Sequence, residues 1–563
     1  MDKRTLLAVI LSVIVMTGGY LIQNRLMPPA PVIEETESTA AVELAEQETV
    51  AEPDEIETID FEAVDEVIPN RTVKYETDVY SVEFNNSGAV ISSLVLKNHN
   101  DYATNQPIDM INKGDGEYKA FNISFDEKFN QFLTENFHYE NKGKGVHEFY
   151  RDFRKSGTDE VFRVIKRYTF SQQEYLFKID VTLVDAPYKS YSLSFGPDIG
   201  PTFTKLDNRN ELRRYYSYSE GKKENHKLKN NEEIITNQVD WASINGKYFS
   251  LIVVPEDRTS TISWERNNLE GYENSSELHI SSFLSGNTTN NSFYIYAGPK
   301  NTEILDIYES ADSNEFGLSN SHFDEVIDSS TVPGLGWLSN ILKYILVFFH
   351  KLIPNYGVAI IILTILIKAL FYPVTHKSFE STSKMQAIQP KLKKLQEQYK
   401  SDPQKLNMAT AELYKSEGVN PLGGCLPMLV QMPIFFALYG LLNSYFGLRG
   451  AVFIPGWIDN LASPESIFTL PFAIPLLGWT AVRVLPFLYL GTQLIMSKIT
   501  QAGTAAAGGQ SNSQMKMLTL GMPIMFFFIL YDMPSGLLLY WTITNVLSAV
   551  QQNVINKKRA AQS

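Results

Sequence analysis

The chain has 563 residues, too many for one ordinary domain, so several are expected. Its formal net charge of −14 is local: fourteen acidic residues and no Lys or Arg lie between Leu26 and Asn70, and the rest is neutral, which excludes a generally acidic protein. The single cysteine, Cys425, excludes an internal disulfide framework and lies too far along to be an acylated lipoprotein cysteine.

Met1 to Arg4 is short and basic, and Thr5 to Ile22 is apolar for eighteen residues. A cleaved signal peptide and a retained anchor both fit this pattern, but the run is long for a signal and no A-x-A site follows at the right distance. Residues 1–25 therefore read as a transmembrane anchor, with Lys3 and Arg4 holding the N-terminus in the cytoplasm. Residues 26–70, rich in Pro, Ala, Thr and Glu, cannot bury enough apolar surface to order themselves and read as an acidic disordered linker.

From 71 to 325 the pattern turns to period two. Phe177, Ile179, Val181 and Leu183 alternate with Lys178, Asp180 and Thr182, and further alternating runs cover 89–96, 161–170, 191–195, 277–284 and 292–297. Many such strands between Asn, Gly, Asp and Pro turns predict a large antiparallel β-sandwich. Its six histidines make no metal spacing, and no acid, base and nucleophile stand together, so neither an enzyme nor a metal or other cofactor is expected.

Residues 334–354 predict an amphipathic helix lying in a membrane interface, with Ser339, Asn340, Lys343, His350 and Lys351 on its polar side. A membrane span is the weaker alternative, because charges interrupt it. Residues 355–556 then read as a five-helix membrane core with spans at 356–375, 420–445, 482–497, 515–530 and 537–555. The first carries Lys368 deep in its apolar length, and no later span holds an Asp or Glu to neutralise it. Residues 376–419 hold eight lysines against five acids. They read as a cytoplasmic helical hairpin with a break at Pro390 and a second helix capped by Asp402 and Pro403. Residues 467–480, broken by prolines, read as interfacial. A basic tail, 557–563, ends the chain in the cytoplasm. The sum is a multi-domain, six-span α-helical inner-membrane protein with both termini cytoplasmic and the β-sandwich in the periplasm.

NPLGGCLPMLVQMPIFFALY, from Asn420 to Tyr439, resembles the signature of the YidC membrane protein insertases, the bacterial branch of the Oxa family. FYPVTHKSFESTSKMQAIQPKLKKL after the first core span and MPSGLLLYWTITNVLSAVQQ from Met533 strengthen the resemblance, as does the order of anchor, sandwich, interfacial helix and five-helix core. It implies insertion and folding of nascent membrane proteins in the lipid bilayer, alone or beside the Sec translocon, with a ribosome-facing cytoplasmic side and no nucleic-acid substrate. It also implies a polar groove, in which the family's arginine falls at Lys368, with Thr364, Gln431, Trp541, Thr544 and Asn545 lining the same space. Lysine supplies charge but not a planar fork, which keeps a hydrated positive groove and puts a bidentate carboxylate clamp in doubt. Lys384, Lys391, Lys393 and Lys394 would make the hairpin a docking arm.

Blander roles stand beside these. Lys368 could snorkel to the cytoplasmic face, Thr364 could bond its own helix, and Gln431, Thr544 and Asn545 could be ordinary interhelical glue. A different function class also fits a lone intramembrane lysine: a small-anion transporter or channel using Lys368, although the sequence has no inverted repeat.

Overall fold

The computed structural model describes residues 61–64, 67–101, 105–111, 120–125, 132–197, 213–228, 233–265, 277–327, 334–399, 402–419, 426–474, 478–501 and 520–560. The anchor expected at 1–25, most of the acidic linker, Cys425 and nearly all of the small-residue loop 501–514 lie outside them.

The alternating segments build a β-sandwich of three antiparallel sheets. The largest has ten strands, and its centre runs through Val146–Lys155, Val161–Phe170, Leu176–Val184, Thr288–Pro299 and Phe249–Pro255. Sheets of five and four strands complete the layers, and one apolar core runs between them. Register follows the alternation: Phe177 pairs with Phe170, Ile179 with Tyr168 and Leu183 with Val164, so inward residues meet inward residues. One inward position breaks the code. Lys166 is fully buried, and its ammonium donates to the carbonyls of Gly88 at 3.1 Å, Ala89 at 2.8 Å and Phe121. Burial pushes its pKa well below the lysine range, and the carbonyl bonds supply what the lost water did. They tie the main sheet to the loop Asn86–Ala89.

Nine helices are labelled here in chain order: α1 (Gly336–Leu352), α2 (Tyr356–Leu370), α3 (Tyr372–Ala387), α4 (Gln389–Gln398), α5 (Pro403–Ser416), α6 (Leu426–Ser444), α7 (Leu485–Gln501), α8 (Met522–Leu530) and α9 (Ser535–Ala560). α2, the helix that carries Lys368, starts at Asn355, whose side-chain oxygen accepts the Val358 amide at 3.1 Å. The ring of Phe453 packs on Gly357 so closely that a Cβ there would fall 2.1 Å from it. α2 ends at Leu370, before the Thr375 end of the expected span, and the chain bends by 68° into α3. Pro373 accounts for the break, since it lacks an N–H and crowds the preceding turn. Among the described residues no single helix is long and apolar enough to cross a membrane, while α2 with α3 as a bent pair is.

α1 carries an exposed apolar stripe, Trp337, Ile341, Tyr344, Phe348 and Leu352, at helical spacing. Its polar side is not wholly solvent-facing, as an isolated amphipathic helix would have it. Ser339 is buried against α6, donating to the Ala437 carbonyl at 3.0 Å, and Lys343 donates to Thr302 at 2.8 Å. Sandwich and helices meet beyond the end of α6, where Phe446 lies edge-on to His99, Tyr248 and Phe249. Nearby, Lys247 donates to Asn443 at 3.2 Å and the Arg449 guanidinium covers the Phe249 ring at 5.0 Å. The expected hairpin, 376–419, is built from most of α3 with α4 and α5, around a small core of Met385, Ile388, Leu392 and Val419. Pro390 sits in the first turn of α4, and Asp402 caps α5 by accepting the Lys405 amide at 3.1 Å. Phe468–Thr469 pairs antiparallel with Ala481–Val482, and α9 continues without a break through the first residues of the basic tail.

Candidate functional site

Lys368 is half-buried on α2, one turn beyond Thr364. The two side chains line a small cavity with Ile367, Phe371 and Thr375, completed by Gln431 and Ile434 from α6 and Tyr540 and Thr544 from α9. Its volume of about 20 Å³ holds a single water. None of its described lining residues is a carboxylate.

The Lys368 ammonium donates instead to the Ser548 hydroxyl at 2.7 Å. Ser548 in turn donates to the Thr544 carbonyl one turn earlier, also at 2.7 Å. The Tyr540 hydroxyl is turned toward Gln431 of α6 and toward Thr544, one turn along its own helix. Towards α3, Thr375 and Gln551 hydrogen-bond at 3.1 Å, and Gln552 donates to the Phe379 carbonyl at 3.3 Å. A ladder of neutral polar groups therefore runs from Tyr540 through Thr544, Ser548 and Gln551 along one side of α9, facing α2 and α3. Neutral hydroxyls and amides leave the lysine's charge uncancelled, so the cavity attracts anionic or strongly polar groups.

Of the six residues expected to share a groove, the structure brings four together: Thr364, Lys368, Gln431 and Thr544. Thr364 also donates to the Ile360 carbonyl at 2.7 Å, the self-capping bond that was its blander reading. Trp541 and Asn545 sit on a neighbouring side of α9. Trp541 stacks on Phe435 with centroids 5.1 Å apart, and Asn545 donates to Gln493 of α7 at 2.8 Å. Sequence reasoning missed Ser548 and Tyr540. Their signal was present: 540, 544 and 548 repeat at i+4 and share a side, whereas 541 and 545 are one residue off, about 100° around the helix.

The four hairpin lysines differ in surroundings. Lys384 pairs with Glu380 at 3.2 Å, Lys391 pairs with Glu417, and Lys394 is exposed, while the Lys393 side chain lies outside the described residues. Elsewhere, folding brings Glu309, His322 and Asp324 together with ligand atoms within 4.8 Å of one another, a grouping that spacing along the chain did not reveal.

Two family models match: the 60Kd inner membrane protein over residues 348–562 and the YidC periplasmic domain over 72–347. The membrane protein insertase YidC of Treponema denticola is 36% identical, over 99% of this chain and 99% of that protein. The chain belongs to the YidC family of membrane protein insertases. The relative from Treponema pallidum is 34% identical, again over 99% of both chains. The crystal structure of an active YidC insertase with its first transmembrane domain resolved is 16% identical with a TM-score of 0.34, covering 86% of this chain and 94% of that one. Membership makes this an inner-membrane protein whose sandwich is the family's periplasmic domain.

Proposed function

We propose that the chain inserts nascent membrane proteins into the inner membrane and that Lys368 is the polar centre of the path their tails take. The observation that carries this is a half-buried ammonium bonded to a hydroxyl, in a cavity whose described lining has no carboxylate. A helix is about 10 Å wide, so a space for one water does not admit it. The client's polar tail meets the cavity, while its apolar helix stays on the lipid side and is driven out by transfer into lipid. No covalent step is needed, and none of these groups is asked to act as acid, base or nucleophile.

The N-terminal apolar run and five core spans cross the membrane in this proposal, with both termini and the hairpin α4–α5 in the cytoplasm. The hairpin's exposed lysines suit it to the ribosome or the emerging chain. The Sec translocon is a second partner of this reading, beside which the chain also works alone.

Photocrosslinkers at Gln431 and Ser548, with Phe283 on the sandwich as control, test this. A ribosome-stalled client should crosslink from the first two and not from the third. No adduct from either, in protein that still folds, removes the cavity from the path. Saturable uptake of a small anion by reconstituted vesicles, with no client adduct, would make Lys368 an anion site of a transporter.

A further inference from the structure

Between α6 and α7 the chain runs for sixteen residues, Ile467 to Val482, without a charge. Residues 467–474 and 478–482 run back against each other. Phe468 pairs with Val482 and Thr469 with Ala481, and the Leu470 and Ile474 amides donate to the carbonyls of Thr480 and Trp479. Gly478, at φ +68°, makes a turn that a side chain would strain. One side of the hairpin is covered: the Trp479 ring stacks on Tyr531 at 3.5 Å. The other exposes Phe468 at 55% and Phe472 at 61%. Large apolar side chains clustered in the open mark a contact surface.

Direction identifies what covers it. At the base, Arg483 bonds the Tyr531 carbonyl and pairs with Asp532, and Glu465 accepts the Leu485 amide at 2.7 Å. Charge is therefore confined to the level of the loop that joins α8 to α9. From there the returning strand runs back along α8. The Ala481 carbonyl accepts the Tyr531 hydroxyl at 2.9 Å, whereas Trp479 also reaches Phe528 at 5.7 Å and Phe527 at 6.0 Å, one turn further into that helix. Phe528 on α8, which Trp479 reaches, and Phe487 and Leu488 on α7 expose apolar surface as well.

We infer that residues 467–474 and 478–482 are the two arms of a re-entrant hairpin seated in the periplasmic leaflet of the membrane, with Phe468 and Phe472 in contact with lipid. This rests on the membrane reading of α7 and α8 above. Depth is limited by the backbone. A two-strand hairpin leaves outward N–H and C=O groups unpaired, which the hydrocarbon centre does not tolerate and the headgroup boundary does. Pro471 removes one such donor. The hairpin thereby braces the outer end of α8 through Trp479.

Spin labels on single cysteines, in a Cys425→Ser background reconstituted in phosphatidylethanolamine–phosphatidylglycerol vesicles, test this. The sites are Phe472→Cys and Phe468→Cys, with Leu488→Cys as the lipid control and Asp159→Cys as the water control. Collisions with a water-soluble nickel chelate should fall at 472 and 468 to the level at 488, with oxygen collisions high. Chelate access at 472 and 468 equal to that at 159, with 488 still in lipid, overturns the inference and leaves the membrane reading intact. Shielding from both reagents also overturns it, because protein such as a second copy would then cover the surface. Chelate access at 488 itself would sink the membrane reading of α7 along with the hairpin. Two independent hairpin sites guard against one label disturbing the fold.

Discussion

A lysine that donates to Ser548, with no carboxylate among the described residues lining its cavity, keeps its charge only through water or a substrate. Lys368→Arg preserves charge and hydration, so insertion should persist. Lys368→Ala or Lys368→Glu should slow insertion by roughly tenfold, the factor set by an attraction of about 1.4 kcal/mol, chiefly for clients with acidic tails. An insertion assay on client pairs differing only in tail acidity measures this. Equal insertion of both clients by Lys368→Glu would make the charge incidental. In the sandwich, burial beside Tyr75, Phe84 and Tyr139 lowers the His147 pKa to about 4. The folded value lies below the unfolded one, near 6.5. Stability from keeping this ring neutral is therefore full above about pH 6.5, falls as pH drops below that, and is gone below the folded pKa. Its contribution is about 3 kcal/mol. His147→Phe should flatten the fall in melting temperature between pH 7 and pH 4.5, read by tryptophan fluorescence in detergent. An unchanged slope would mean that carboxylates alone set the acid sensitivity.

Helix breaks decide what each element presents. Pro390 in the first turn of α4 and Asp402 at the cap of α5 were legible because their chemistry is local. The end of α2 was not. The apolar run continues to Val374, and only the geometry shows that Pro373 turns its last residues into the start of α3. The 467–480 hairpin was missed for a similar reason: prolines in an apolar run signal a break without saying that its two halves pair. The arm α4–α5 packs on the far end of α3 through a small core of Met385, Ile388, Leu392 and Val419, none of which lines the cavity. Deleting residues 389–417, which spares α3 and its bond from Phe379 to Gln552, should therefore leave the core folded and reduce insertion of ribosome-delivered clients. Normal insertion by a stably folded deletion would reduce the arm to a spacer. Asp402→Ala should cost about 1 kcal/mol of local stability and speed amide exchange in the first turn of α5.

At the scale of the whole chain, most of the architecture was readable. Period two gives the sandwich, and apolar length with lysine placement gives the helical part. What escaped were long-range facts: Lys166 bonded to three carbonyls across the sandwich, and the Phe446 and Arg449 contacts that join sandwich to helices. A buried lysine and a surface lysine look alike in an alternating pattern, and a contact between residues two hundred positions apart leaves no local trace. The junction also bears on topology. Phe446 follows α6 directly and lies among sandwich side chains, so the end of α6 shares a membrane side with residues 71–325. α4 and α5 precede the other end of α6, which puts them across the bilayer if α6 spans it. Asp159 and Lys394 are both exposed and serve as reporters. In a Cys425→Ser background, a membrane-impermeant maleimide added to intact spheroplasts should label Asp159→Cys at once and Lys394→Cys only after permeabilisation. Labelling of both without permeabilisation, or of neither, would place sandwich and arm on one side and remove the spanning role of α6.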